Sequence, residues 1–63
     1  MKLEDLKIGQ KVKFHNNYFG VDDTGVISKF TKKRVGIALW KDSDYLQYVS
    51  PNSIKEIISE PLN

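Results

Sequence analysis

Thr24-Gly25-Val26-Ile27-Ser28-Lys29-Phe30-Thr31-Lys32-Lys33-Arg34-Val35-Gly36-Ile37-Ala38-Leu39-Trp40 is the stretch on which the reading of this chain turns. Two apolar, β-branched runs flank a polar, basic turn, which is the pattern of a hairpin. Ile27 is expected in the core. Val26 and Phe30 depend on Gly25, because a glycine inside a strand marks a bulge or a close backbone approach. After the turn, Val35, Ile37 and Leu39 alternate with Gly36, Ala38 and Trp40. Both faces are apolar, so this third strand is expected to lie centrally or to meet a partner with its second face.

Upstream, Lys11-Val12-Lys13-Phe14 alternates polar and apolar residues with period two, as a half-buried strand does. His15 to Asp23 reads as a loop, since its Asn, Asp and Gly residues favour local turns. Met1 to Ile8 forms either one helical turn or an extended lead-in, and Gly9-Gln10 marks a turn. Downstream, Lys41 to Asp44 reads as a tight polar turn and Tyr45 to Val49 as a fourth strand. Ser50-Pro51-Asn52-Ser53 places a capping serine before a proline, which predicts one turn of 3₁₀ helix. Lys55 to Ser59 supplies a fifth strand. The expectation is an all-β, five-stranded small barrel over residues 8–58 within a single domain, with residues 1–7 as lead-in and 59–63 as a frayed tail. Its core is expected to hold Ile8, Val12, Phe14, Ile27, Val35, Ile37, Val49, Ile54 and Ile57.

With 63 residues and no cysteine, no disulfide can staple this fold. One histidine, His15, provides no zinc set. A domain this small buries only about 60% of its unfolded surface, so a compact core, a sheet closed on itself or a partner subunit must hold it. No run approaches a membrane span, and the Met1 end lacks the apolar region of a signal peptide. A soluble, cytoplasmic protein is expected, with no membrane partner. The formal charge of +2 is too small to name a nucleic-acid partner by itself. Nine of the ten basic residues are lysine, and Arg34 is the only arginine.

The sum of five short strands, a long first loop, two tighter hairpins and a one-turn helix before the last strand resembles an SH3-like barrel. The residues carrying the likeness are Ile8-Gly9-Gln10-Lys11-Val12, Gly25-Val26-Ile27, Val35-Gly36-Ile37 and Val49-Ser50-Pro51-Asn52-Ser53-Ile54. KOW modules of ribosomal and transcription proteins look like this, as do Tudor-like modules. The fold hosts many functions. Leu46 to Ile57 is also similar to the end of the plasmid-borne type II dihydrofolate reductases, in which four SH3-like chains build one active pore. Their Gln-Ile-Tyr stands here as Gln47-Tyr48-Val49, and Phe14 stands near their first-strand lysine.

Two sets of residues carry candidate contacts. Lys29, Lys32, Lys33 and Arg34 can track phosphates, or they can form a solvated turn that keeps the hairpin edge from pairing. The aromatic set of Tyr18, Phe19, Phe30, Trp40, Tyr45 and Tyr48 can stack on bases, or on a protein partner; Tudor-like relatives cage methylated lysine with aromatics and SH3 domains bind proline-rich peptides on an aromatic strip. Phe14 and Phe30 are assigned to packing. Trp40 is out of phase with Val35, Ile37 and Leu39 and is the leading contact residue. His15 lacks a serine or cysteine partner, Asp22-Asp23 and Asp42-Asp44 read as turn formers, and Gly20 and Gly25 make no phosphate loop. No catalytic residue, metal or cofactor is expected. The leading expectation is a non-enzymatic nucleic-acid-binding module. The alternative is a protein–protein module, such as a small phage or mobile-element protein that inhibits a host protein. A homo-oligomer fits either.

Overall fold

The computed structural model describes residues 1–40 and 44–61. Five antiparallel strands form one sheet: β1 (Lys11–Asn16), β2 (Val21–Phe30), β3 (Val35–Ala38), β4 (Gln47–Val49) and β5 (Ile54–Ser59). A 3₁₀ turn over Leu3–Asp5 precedes them, and a second over Pro51–Ser53 joins β4 to β5. The spatial order is β4-β3-β2-β1-β5.

The long strand β2 makes the sheet curl. Its first part pairs with β1, from Asn16↔Val21 to Lys11↔Val26. Its second part pairs with β3, from Val26↔Ala38 to Phe30↔Val35, with a register shift between Ile27 and Lys29. A bulge bends a strand and increases its twist. The two halves of β2 therefore lie in differently inclined parts of one barrel-like sheet around a common core.

That core is Leu6, Val12, Phe14, Ile27, Val35, Ile37, Val49 and Ile54, flanked by Leu3, Phe30, Leu39 and Ile57. Alternation on β1 aims Val12 and Phe14 inward and leaves Lys11 and Lys13 exposed, as expected. The third strand is central, between β2 and β4. Gly25 is required by close approach: a Cβ there would lie 2.5 Å from Ile37 Cγ2 and 2.7 Å from the Ala38 carbonyl oxygen. The bulge itself falls two residues later.

Three expectations are corrected. Ile8 is exposed (59%), and Leu6 takes the core place (5%). The 3₁₀ turn changes the phase of the lead-in, and Leu6 N closes it on Leu3 O at 3.1 Å. Residues 15–23 are mostly strand rather than loop, because His15↔Asp22 and Asn16↔Val21 extend the β1–β2 ladder and leave only residues 17–20 as the connection. The fourth strand is shorter than expected, Gln47–Val49. The turn at Lys41 to Ser43 and the last two residues of the expected tail lie outside the described residues.

Two buried amides flank the apolar pair of β1. Gln10 Oε1 accepts from Lys7 N at 2.8 Å, and its Nε2 donates to Glu60 Oε2 at 3.1 Å. Asn16 is fully buried and is treated with the site below.

Candidate functional site

Asn16 builds the connection that carries two of the aromatics. Its Oδ1 accepts from Tyr18 N at 3.0 Å, and its Nδ2 donates to Asp23 Oδ2 at 3.1 Å. Its carbonyl accepts from Gly20 N at 2.8 Å. With that backbone fixed, Tyr18 and Phe19 project outward at 77% and 63% exposure. Their rings meet edge to face, with centroids 4.9 Å apart.

Trp40 is positioned from the other side. Leu39 turns toward the core, and Trp40 stays 61% exposed. Together Tyr18, Phe19, Leu39, Trp40, Tyr45 and Gln47 line a hollow of about 250 Å³ between the β1–β2 connection and the start of β4. None of these six side chains carries a formal charge at neutral pH.

The basic turn lies at the other end of β3. Thr31 N donates to Arg34 O at 2.9 Å, and Arg34 N donates to Thr31 Oγ1 at 3.0 Å. Lys32, Lys33 and Arg34 are exposed on that turn. Trp40 is six residues beyond Arg34, roughly 20 Å at about 3.3 Å per residue. The structure thus joins Tyr18, Phe19 and Trp40 and keeps Lys32, Lys33 and Arg34 apart from them.

Lys29 and Tyr48 connect the two ends. The register places Lys29, Gly36 and Tyr48 in one row across β2, β3 and β4. A Cβ on Gly36 would fall 2.9 Å from Tyr48 Cε1 and 3.3 Å from Leu46 Cδ1, so the Tyr48 ring lies over the bare backbone of β3. The apolar second face of β3 is therefore covered at Gly36 by its own β4 neighbours and open at Trp40.

Charge is segregated. Among the described residues no ion pair involves Lys29, Lys32, Lys33 or Arg34. The three glutamates sit at Glu4, Glu56 and Glu60, on the first 3₁₀ turn and on or just after β5. Asp22 is engaged: its Oδ1 lies 3.0 Å from His15 Nδ1 and its Oδ2 accepts from Lys55 Nζ at 3.0 Å. Those two bonds, from His15 and then Lys55, hold the Asp22 carboxyl below its ordinary value.

Sequence reasoning missed Asn16 and Leu39 as site residues, and it named Tyr45 only within the aromatic set and Gln47 only within the reductase-like motif. Asn16 carried the composition of a turn, and the other three are joined to Tyr18 only by the fold. Of the reductase-like motif, Gln47 lines the hollow, Tyr48 faces outward and Val49 enters the core; Phe14 is fully buried. Among the described residues no cluster of His, Cys, Asp and Glu could hold a metal ion, and no helix is long and apolar enough to cross a membrane.

In comparison with known proteins, the chain matches no family model, no curated protein and no solved structure.

Proposed function

We propose that this chain is a small non-enzymatic nucleic-acid-binding module. The observation that carries the reading is one outward sheet surface. It begins at Lys32, Lys33 and Arg34, which form no ion pair among the described residues, crosses the row of Lys29, Gly36 and Tyr48, and ends at Trp40. Phosphates supply charge to meet the cations, and their counterions are released on binding. Flat, sequence-tolerant stacking suits exposed aromatics. The SH3-like and KOW-like likeness of the sequence agrees with this use. The test is Lys32→Ala with Lys33→Ala. Binding to DNA or RNA should weaken about equally across sequences, and the salt slope on a single strand should fall by about 1.4, at roughly 0.7 per phosphate contact. Unchanged binding by the double variant refutes the reading.

The exposed aromatic side chains Tyr18, Phe19, Trp40 and Tyr45 gather around one hollow, and they favour a second reading as a protein-binding module that inhibits a host protein. That reading expects Trp40→Ala to abolish partner capture with little dependence on salt.

A further inference from the structure

The hollow at the aromatic end has four properties that together narrow its occupant. It is walled by rings from separate segments: Tyr18 and Phe19 from the β1–β2 connection, Trp40 from the end of β3 and Tyr45 from the approach to β4. Among the described residues its lining bears no charge and offers no carboxylate to neutralise a cationic side chain. Gln47 is among its lining residues, and a glutamine side chain has both donors and an acceptor to offer. The volume of about 250 Å³ lies just under the range of drug-sized pockets and suits a single ring system.

The nearest described cations of the basic hairpin lie beyond the hollow, at the other end of β3. Arg34 and Lys29 lie on or beside β3, one short strand away from Trp40. A ligand held there by its phosphates would arrive at the hollow with a neutral, flat, hydrogen-bonding group. We infer that the hollow receives one unstacked base of a single strand, with Tyr18, Phe19 and Trp40 against its faces and the Gln47 amide at its edge. A paired base in a duplex is stacked between its neighbours and cannot enter. The hollow therefore makes the module select single strands, while the basic turn supplies affinity without selection. This inference rests on the nucleic-acid reading above and assigns a separate task to a separate end of the molecule.

The chain has a single tryptophan, so its own fluorescence reports on the hollow. The full chain is titrated at low salt with a ten-nucleotide single strand, with the same strand carrying one abasic position in turn, and with its blunt duplex. A deca-lysine peptide is the fourth ligand. The expected result is that the single strand changes Trp40 emission and the duplex does not, and that one abasic position removes most of the change. Trp40→Ala should weaken single-strand binding about 5- to 150-fold, as loss of one stacked base does, and leave the salt slope unchanged. Gln47→Ala should alter preference among the four bases with the slope again unchanged. Single strands that bind with a normal salt slope but leave Trp40 emission and Trp40→Ala affinity untouched would overturn the base site and leave the nucleic-acid reading standing. Absence of binding to any nucleic acid would remove both. An emission change with deca-lysine alone would also overturn the inference and assign the hollow to a cationic peptide.

Discussion

Gly25→Ala should cost this protein much of its stability, and Gly36→Ala should not. Both glycines lie on strands in close contact, but what they touch differs. At Gly25 the added methyl would meet Ile37 Cγ2 at 2.5 Å and the Ala38 carbonyl oxygen at 2.7 Å. Ordinary carbon contacts lie near 3.5–4.0 Å. Ile37 is fully buried, so its methyl cannot retreat without disturbing the core. The carbonyl belongs to the backbone of β3 beside the pairing Val26↔Ala38, so its retreat strains the ladder. Overpacking of this kind costs about 1–3 kcal/mol, occasionally more, and two rigid neighbours place Gly25→Ala near 3. A chain of 63 residues has roughly 3–9 kcal/mol in all. At about 4–8 °C per kcal/mol for a domain this small, the melting midpoint should fall by roughly 12–24 °C.

At Gly36 the methyl would meet the ring of Tyr48 at 2.9 Å. That ring is 40% exposed and can swing outward. The loss of contact is offset in part by the lower unfolded-state entropy of alanine, worth about 0.4–1 kcal/mol. Gly36→Ala should melt within about 5 °C of the parent. Thermal unfolding followed by far-ultraviolet circular dichroism compares the two directly. If Gly25→Ala melts as high as Gly36→Ala, then β2 and β3 do not approach each other as described.

Other perturbations test other parts of the account. Leu6→Ala should lower stability by about 2–5 kcal/mol in urea unfolding and Ile8→Ala by about 0.5 or less; the reverse order would restore Ile8 to the core. Asn16→Ala removes two side-chain hydrogen bonds from a buried site and strands their partners, for a loss of about 1–3 kcal/mol. It should also broaden the Tyr18 and Phe19 amide resonances, and sharp, unshifted resonances would contradict its positioning role. Asp22 is held below its ordinary value of 3.8 by His15 and Lys55. Its contribution is present above that unfolded value and disappears as pH falls through the lower folded value. Asp22→Asn should therefore be less stable than the parent at neutral pH and equal to it in strong acid, and a pH-independent gap in urea midpoints would refute the assignment.

The hairpin of β2 and β3 was legible because its alternation is local: Ile27, Val35 and Ile37 point inward in the phase that the sequence shows. The proline-led turn at Pro51–Ser53 was legible for the same reason, since Ser50 Oγ accepts from Asn52 N at 3.3 Å within a few residues. The extension of β1 and β2 past Phe14 was not. Asn16 and Asp23 look like turn residues in isolation, and only cross-strand pairing makes them partners. One local signal exists: Val12, Phe14 and Asn16 share a parity that continues the inward face. Ile8 was misplaced because a short 3₁₀ turn shifts phase without a strong sequence mark. At the site, the cations were visible as a run of three, but their distance from Trp40 was not. Nothing local brings Tyr18 to Trp40. That meeting depends on how two connections, far apart in sequence, curl over the same end of the sheet.

The unequal lengths of the strands bear on how the module would yield to a ligand. Strand β4 has three residues and lies at the sheet's margin, paired only with β3. Strand β1 is held on both sides, by β2 and β5. Backbone amides of β1 should thus be the slowest to exchange with deuterium, and those of Gln47 to Val49 among the fastest. Tyr48 and Gln47 ride on that least protected strand, whereas Asn16, which fixes Tyr18 and Phe19, belongs to the most protected one. If exchange follows that order, the wall carrying Tyr18 and Phe19 is the fixed jaw and the one carrying Gln47 the side that opens, so a ligand would meet a clamp with one moving side.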